Sequence, residues 1–275
     1  MTSTVLRRTG DFLTYLVLIT FSLFIILPIL WTLRISMLPE VEVYSLPPDF
    51  STPLNLDSYR KLLFDMNFMV FLRNSLFISI STTLISVPIA TLGGFAFARY
   101  RVGGRVLQFA VLGTQMLPGI ILVLPIFVVF NKLHLTNSFF GLTLAYMSFN
   151  LPFLVWMLIG FFEGIPRELE EAAALDGLSP LKTFFKIIVP VATPGILAAA
   201  ILSFIFCWNE FLFALILSGG ETMTIPVRLA AMKTKQGILI AKLSAGVILA
   251  IFPMVIISPF VKKYLISGLT LGSVK

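Results

Sequence analysis

The side chains that could do chemistry are scarce in this sequence, and the acidic ones are concentrated in one stretch. Of the thirteen Asp and Glu residues, five lie between Glu163 and Asp176, and the stretch continues through Gly177 and two lysines to Pro190. The 163–190 segment is therefore a polar stretch in a chain that is 58% hydrophobic. Polar groups gathered in this way predict a surface that binds something outside the apolar part of the protein.

The composition of the chain is that of an integral membrane protein. Its mean hydropathy is +1.00 and only 12% of its 275 residues are charged, which is about half the usual share. A lipid bilayer can cover this much apolar side chain, whereas the polar surface of a soluble domain cannot. The net charge is +7, but the sequence offers no polar face on which a nucleic acid could bind. The positive charge instead indicates basic loops beside anionic lipid head groups.

Catalytic and metal sites have few candidate residues. The single histidine, His134, lies in a short polar connection, and the single cysteine, Cys207, lies in an apolar run where a buried, inert thiol is expected. No group of side chains has the spacing of metal ligands. An enzyme acting inside the membrane would need paired acids or a metal, and a secondary transporter would need an ion or proton site. Glu210 is the only acid inside an apolar run, so we predict no catalytic residue, no metal and no enzymatic activity of this chain.

Six apolar stretches are long enough to cross a bilayer, and backbone groups in hydrocarbon must be paired internally, so the fold is predicted to be all-α. The predicted spans are 12–33, 74–98, 106–131, one within 135–162, one from near 187 past Asn209, and 243–261. The arginines of 99–105 and the lysines of 262–263 place both termini in the cytoplasm. The predicted organisation is an N-terminal anchor helix at 1–36, an extracytoplasmic loop at 37–70, a core at 71–264 and a cytoplasmic C-terminal tail at 265–275.

Within the 163–190 segment the residue types predict a helix, a sharp turn and a second helix outside the membrane. Pro166 suits the first turn of a helix, and three alanines at 172–174 favour its continuation. Gly177 can take the left-handed conformation that ends a helix, and Ser179 is placed to cap the next one. The second helix is expected to run to Pro190. An amphipathic connector lying on the membrane surface is the alternative interpretation.

The same segment resembles a motif of known membrane proteins. It is similar to the EAA motif of permease subunits of binding-protein-dependent ABC importers. The matching residues are Glu171-Ala172-Ala173, then Gly177 after three residues, and Ile187-Ile188-Val189-Pro190 after nine more, with Val189 where leucine is usual. The stretches "SLPPDFSTPLNLDSYRKLL", "RNSLFIS", "WNEFLFALIL" and "YLISGLTLGSVK" are similar to the carbohydrate branch, in particular to the shorter maltose-type permease. One departure is "MKTKQGILIAKLSAGVILA", which lacks the acidic and aromatic residues common there.

The resemblance implies a type I importer permease fold of six helices with cytoplasmic coupling helices, in a bacterial or archaeal cytoplasmic membrane. The implied partners are a homologous second permease, an ABC ATPase dimer and an extracytoplasmic sugar-binding protein. ATP and Mg²⁺ are implied on the ATPase, and this chain has no "GxxxxGK[ST]" loop and no cofactor of its own. The implied ATPase-coupling residues are Glu171, Ala172, Ala173, Asp176, Gly177 and Pro190.

A path for the substrate is predicted from polar side chains within the spans. Trp208, Asn209 and Glu210 offer a stacking face, an amide and a carboxylate, which are groups that bind sugars. Gln115 and Asn150 could line the same path or simply bond neighbouring helices. For Glu210 the alternative is pairing with a base such as Arg73 to hold helices together. The prolines within spans three and six could be hinges or static kinks; they are Pro118, Pro125, Pro253 and Pro259.

The orientation is tested by labelling single cysteines in intact cells, after Cys207→Ala removes the native thiol. Cytoplasmic termini predict that a cysteine at Ser273 is protected from impermeant thiol reagents, whereas one at Ser51 is labelled. Labelling at Ser273 with protection at Ser51 would reverse the topology and move the 163–190 segment to the outer side.

Overall fold

The computed structural model describes the backbone of residues 2–234 and 237–271 and the side chains of residues 11–232 and 239–264. Its helices are α1 (Thr2–Ser36), α2 (Asp57–Arg60), α3 (Phe68–Tyr100), α4 (Gly104–Gly113), α5 (Gly119–Lys132), α6 (Phe139–Glu163), α7 (Glu168–Leu175), α8 (Pro180–Thr183), α9 (Val189–Trp208), α10 (Leu212–Leu217), α11 (Ile225–Ala230) and α12 (Ile240–Leu271). Short strands β1 (Lys233–Thr234) and β2 (Gly237–Ile238) pair antiparallel before α12. The predicted all-α class is confirmed, since each of these strands has only two residues.

The predicted number of spans, six, is met when one bent pair of helices counts as a single span. Five stretches of helix are long and apolar enough to cross a membrane by themselves, namely Asp11–Ser36, Phe68–Tyr100, Phe139–Glu163, Pro180–Trp208 and Ile240–Tyr264. The sixth is a bent pair formed by α4 and α5. Helix α12 continues to Leu271, so the described part of the predicted tail is helical. The last four tail residues, 272–275, lie outside the described residues.

The third predicted span, 106–131, is not one continuous helix. The helices on either side of Leu117 and Pro118 are bent by 95°. A proline disfavours the helical conformation of the residue before it, and Leu117 accordingly has an extended backbone with φ −78° and ψ 124°. Pro118 is therefore a break, whereas Pro125 lies inside α5. In the sixth span, α12 likewise contains its two prolines without ending at either.

The helix of the fifth span begins earlier than predicted. Helix α8, a π-helical turn at Phe184–Ile188 and α9 run without interruption from Pro180 to Trp208. Pro190 lies in the first turn of α9 and does not close a separate helix, so that prediction is wrong. A proline crowds the carbonyl four residues earlier, here that of Lys186. Because Lys186 lies in the wider π turn, the helix passes the proline without a break.

Residues 1–68 and 231–251 form one compact unit. Its N-terminal helix, α1, has exposed side chains along the apolar part of its length. The loop that follows α1 is folded against the end of that helix. Arg34 donates a hydrogen bond to the carbonyl of Asp49 at 2.6 Å, and its guanidinium lies 4.7 Å from the centre of the Phe50 ring. The loop predicted at 37–70 is therefore anchored to the helix that precedes it.

A carboxylate caps helix α12 within the same unit. The first N–H groups of a helix have no partner inside it. Glu40 Oε1 accepts a hydrogen bond from the N–H of Ala241 at 3.0 Å, and Glu40 Oε2 lies 4.0 Å from Lys242 Nζ. The two bonded residues are 201 positions apart in the sequence. Glu40 therefore joins the first loop to the start of the last spanning helix, which no local pattern predicted.

Residues 69–230 and 252–275 form the second unit, which holds two apolar clusters. The first cluster joins α3, α6 and α9. The ring of Phe95 on α3 lies 5.5 Å from that of Phe162 and 4.8 Å from that of Phe184. The second cluster joins α5, α6 and α10 with residues of α3, α9 and α11. Helices α3, α6 and α9 contribute to both clusters, and α6 also packs against α4 and α10, so it is the central element of this unit.

Two polar residues near the start of α3 bind the chain that leads into α11. The side-chain amide of Asn74 donates to the carbonyls of Glu221 and Met223 at 2.8 and 3.1 Å. The hydroxyl of Ser75 accepts from the N–H of Ile225 at 2.8 Å. These residues belong to the "RNSLFIS" stretch noted above. Their role here is to satisfy backbone groups of a segment about 150 residues later.

The helices around α6 approach closely at glycines. A side-chain carbon added at Gly94 on α3 would lie 2.9 Å from Leu158 Cβ and 3.3 Å from the backbone nitrogen of Ile159. One added at Gly195 on α9 would lie 2.6 Å from the ring of Phe161. Small residues of this kind let helices in membranes pack with their backbones close together. Helix α6 is thereby held tightly on two sides.

The close contact at Gly94 predicts that even one methyl group is harmful there. Gly94→Ala is expected to lower the free energy of unfolding by about 1–3 kcal/mol, because the backbone of α6 must shift to admit the methyl. Gly160→Ala is the matched control, since a carbon added at Gly160 meets nothing within 4 Å. The measurement is the midpoint of thermal unfolding of the detergent-solubilised protein. Equal midpoints for the two variants would contradict the packing described.

Candidate functional site

The 163–190 segment contains the predicted helix–turn–helix, but its first helix starts later than expected. Helix α7 begins at Glu168, and the carbonyl of Arg167 accepts hydrogen bonds from the N–H groups of Glu170 and Glu171 at 2.9 and 3.1 Å. Pro166 precedes the helix and is not in its first turn, because Arg167 takes the capping position. The three glutamates in the first turn lie where the helix dipole favours negative charge.

Gly177 ends α7 in the left-handed conformation that the sequence predicted. Its φ is +78°. The N–H of Leu178 donates to the carbonyl of Ala173, and the N–H of Gly177 donates to that of Ala174, both at 3.0 Å. This pair of bonds is the Schellman motif, which favours glycine at the left-handed position. An added side-chain carbon would meet nothing within 4 Å, so the demand for glycine comes from the backbone conformation.

The second helix starts with Pro180 at its first position, where the missing N–H of proline costs no hydrogen bond. Ser179 occupies the N-cap position with an extended backbone, and its carbonyl accepts from the N–H of Thr183 at 2.9 Å. Its hydroxyl makes no capping hydrogen bond, so the predicted side-chain cap is wrong. The backbone of Ser179, not its side chain, starts the helix that continues into the membrane span.

The predicted coupling residues do not all face outward. Glu171, Ala172, Asp176, Gly177 and Pro190 are exposed, whereas Ala173 is only 1% exposed. The three alanines therefore do not form one smooth outer face. Ala173 packs inside the protein, where a larger side chain would not fit as well.

Apolar side chains that sequence reasoning missed lie beside these exposed residues. Leu175 is 90% exposed, Leu181 is 67% exposed and Phe185 is 58% exposed. Leu175 is the last residue of α7, directly before the turn. The available signal was the presence of leucines next to charged residues in an otherwise polar stretch. The exposed side chains of the 163–190 segment are therefore of mixed acidic and apolar character.

Arg99, at the end of α3, is the other functional candidate that sequence reasoning missed. Its Nε atom lies 2.5 Å from Glu170 Oε1, as an ion pair and not as an aligned hydrogen bond. Its Nη2 atom donates to the carbonyl of Ile165 at 2.6 Å. The Arg99 side chain is 6% exposed and that of Glu170 is 24% exposed. The available signal was a charged residue in the last turn of an apolar span.

The three consecutive residues predicted for the substrate path have different environments. Trp208 is 4% exposed and its ring stacks on that of Phe204 at 5.8 Å. Asn209 is exposed, and its amide donates to the carbonyl of Ile205, one turn earlier in α9, at 2.8 Å. Glu210 lies in the break between α9 and α10. The structure therefore does not arrange these side chains as one common face.

Glu210 caps helix α10. Its Oε1 accepts from the N–H of Phe213 at 2.9 Å, and its Oε2 accepts from the N–H of Ala214 at 3.0 Å. The partners are thus two backbone groups, and not Arg73 as the alternative interpretation supposed. A carboxylate at this position also interacts favourably with the positive end of the short helix.

The two amides predicted for the path join neighbouring helices. Asn150 is fully buried in α6, and its Nδ2 donates to Ser203 Oγ at 2.8 Å and to Cys207 Sγ at 3.0 Å on α9. Gln115 Nε2, in the turn after α4, donates to the carbonyl of Phe149 on α6 at 2.7 Å. Cys207 is buried, as predicted.

The apolar spans define a multi-pass membrane protein. Among the described residues no group of three or more His, Cys, Asp and Glu could hold a metal ion. The chain belongs to the family described as binding-protein-dependent transport system inner membrane component, which matches residues 86–270. It is therefore a permease subunit of an ABC importer, and it works with the other components of such a transporter.

The chain is similar over most of its length to curated permease subunits. It is 36% identical over 254 residues to the trehalose transport system permease protein SugB of Mycobacterium tuberculosis, covering 91% of this chain and 92% of that protein. It is 33% identical over 258 residues to the trehalose/maltose transport system permease protein MalG of Thermococcus litoralis, covering 90% and 91%. It is 30% identical over 280 residues to the maltodextrin transport system permease protein MdxG of Bacillus subtilis, covering 100% of each.

Solved structures have the same fold. A bacterial ABC transporter involved in the import of the acidic polysaccharide alginate matches with a TM-score of 0.76 at 24% identity, covering 94% of this chain and 96% of that chain. The inward-facing MetNI methionine ABC transporter matches with a TM-score of 0.55 at 16% identity, covering 74% and 95%. At these identities the likeness shows the fold alone, and it confirms the expected importer permease fold.

The capping role of Glu210 predicts a loss of stability when the carboxylate is removed. Glu210→Ala is expected to lower the free energy of unfolding by about 0.5–2 kcal/mol, because two helix N–H groups lose their acceptors. Glu210→Gln keeps one acceptor oxygen and is expected to lose less. Thermal unfolding of the purified variants measures both effects. A Glu210→Gln variant that unfolds like the wild type but no longer supports uptake would assign the carboxylate to the substrate instead.

Proposed function

We propose that this chain forms half of the translocation pathway of an ATP-driven sugar importer, and that the 163–190 segment binds an ATPase subunit. The observation that carries the proposal is the exposed helix–turn–helix. Its first helix ends at the left-handed Gly177, and the chain then continues without a break into the spanning helix α9. A displacement of the turn is therefore passed directly to a helix that lies in the membrane.

The surface of the segment supports a protein partner. Large apolar side chains as exposed as Leu175 and Leu181 mark protein contacts when they lie together and are rimmed by polar residues. The carboxylates of Glu171 and Asp176 are exposed beside them and select a partner surface of positive charge. We infer that the ATPase offers an apolar cleft with basic residues at its rim.

The substrate class and the remaining partners follow from the relatives. The names of SugB, MalG and MdxG concern trehalose, maltose and maltodextrin, so the proposed substrate is a sugar. A homologous second permease would complete the pathway, and an extracytoplasmic sugar-binding protein would deliver the substrate. ATP and Mg²⁺ would bind to the ATPase dimer, since this sequence has no phosphate-binding "GxxxxGK[ST]" loop. The chain itself would have no enzymatic activity.

The proposed mechanism is alternating access. Closure of the ATPase dimer on ATP would move the 163–190 segment, and the spans would rock between inward-open and outward-open arrangements. This requires both termini and the 163–190 segment to lie in the cytoplasm, which the basic loops favour. The tightly packed α3, α6 and α9 would move as rigid bodies, because packed interiors deform little.

The turn at Gly177 provides the test. Gly177→Val is expected to abolish transport while membrane insertion is retained, since a β-branched residue in the left-handed conformation costs roughly 1–2 kcal/mol and the helix end is re-aimed. Gly177→Asn should keep most of the activity, because asparagine tolerates that conformation. The measurements are uptake by cells and co-purification of the ATPase with the permease.

Glu171→Ala gives an independent test of the same surface. Loss of a charged partner in a buried contact commonly costs about 2–5 kcal/mol, so the ATPase should dissociate from this variant or hydrolyse ATP without regard to the binding protein. Compensating mutations, if selected, should arise on the ATPase. If both Gly177→Val and Glu171→Ala showed normal uptake with the ATPase bound, the proposed docking role would be wrong. The segment would then be a connector on the membrane surface.

A further inference from the structure

The guanidinium of Arg99 joins the end of α3 to two parts of the 163–190 segment. It forms an ion pair with Glu170 on α7 and donates to the carbonyl of Ile165 in the loop before α7. Ile165 is itself buried, and the Arg99 side chain is 6% exposed. The contact is therefore an internal one and is not part of the exposed surface described above.

The chemistry of the contact requires arginine. The planar guanidinium presents several N–H donors in a fixed fork, so one side chain can bind a carboxylate and a carbonyl at once. A lysine at this position could reach one acceptor but not hold both in a fixed geometry. Because the Arg99 side chain is buried, removing the Glu170 carboxylate leaves the arginine charge without its partner, which is unfavourable.

The covalent connection between α6 and α7 is irregular, so the Arg99 contacts are a second attachment of α7. Helix α6 ends at Glu163, and the connection to α7 at 164–167 is not helical. By contrast, α3 is packed against α6 at Gly94 and through the ring of Phe95. The arginine therefore ties α7 to a rigid pair of helices at a point where the chain alone would allow α7 to pivot.

We propose that Arg99 is a positioning residue for transport, which fixes the angle of α7 to α3 so that displacement of the 163–190 segment moves α3 as well as α9. The inference rests on the proposed function, since it requires an ATPase that acts on this segment. It differs from the docking role, because Arg99 and Glu170 face inward while the docking residues face outward.

The experiment measures the coupling of transport to ATP hydrolysis in the whole complex, reconstituted in lipid vesicles with its ATPase, second permease and binding protein. The probe is whichever of radiolabelled trehalose and maltose the wild-type complex takes up. In Arg99→Gln the ATPase is expected to remain bound and active, while the uptake per ATP hydrolysed falls about tenfold, within the range typical of coupling between sites. Arg99→Lys is expected to be intermediate.

A matched control and a charge exchange make the test specific. Arg101→Gln removes a positive charge two residues later, from an exposed position. This control should not change the uptake per ATP. Arg99→Glu combined with Glu170→Arg is expected to recover part of the loss, since it restores the ion pair but not the bond to the Ile165 carbonyl.

The inference is overturned if Arg99→Gln keeps the wild-type uptake per ATP, if Arg101→Gln lowers it equally, or if Arg99→Gln loses the ATPase. If Arg99→Gln fails to insert into the membrane, Glu170→Gln decides, because it removes only the ion pair, and an unchanged ratio would reject the inference. Failure of the proposed function looks different, since the wild-type chain itself would then not bind an ATPase.

Discussion

The constraint on which this structure depends is that every backbone N–H and C=O group in apolar surroundings needs a partner. Helices meet that need internally except at their ends. At several such ends a side chain from outside the helix supplies the partner: Glu210 for α10, Glu40 for α12 and Asn74 for the chain before α11. Arg99 does the same for the carbonyl of Ile165. Many of the few polar side chains in apolar parts of the chain therefore serve to pair backbone groups.

The acidic residues of the 163–190 segment are of two kinds, which face different sides of helix α7. Successive residues of a helix are rotated by about 100° around its axis, so Glu170 and Glu171 point to different sides. Glu170 faces Arg99 and orients the helix, whereas Glu171 is exposed beside Leu175 and Asp176. One element thus combines an inner face that fixes its position and an outer face that is available to a partner. Composition alone shows only a cluster of acids.

The features that the sequence predicted correctly are those set by local rules. Apolar length revealed the six spans, and the residue types around Gly177 predicted its left-handed turn. The errors arose where a local rule met a competing one. Pro190 was expected to stop a helix, but the π turn before it lets the helix continue, whereas at Pro118 the helix does break. Contacts between distant residues, such as that of Arg99 with Glu170, could not be predicted, because a single sequence carries no information on which charges meet.

These contacts give the 163–190 segment two mechanical connections. At the C-terminal end of the segment, helix α8 continues through the π turn into α9 without a break. At its N-terminal end the covalent link to α6 is irregular, and the guanidinium provides the connection to α3 instead. If the segment were attached at its C-terminal end only, α7 would rotate when a partner displaced it. The irregular connection at 164–167 would then absorb the displacement. Fixed at both ends, it shares the displacement between α3 and α9, which both pack against α6, at Gly94 and at Gly195. In the proposed transport cycle, the movement of one short helix outside the membrane then reaches the central helix of the unit through two neighbouring helices.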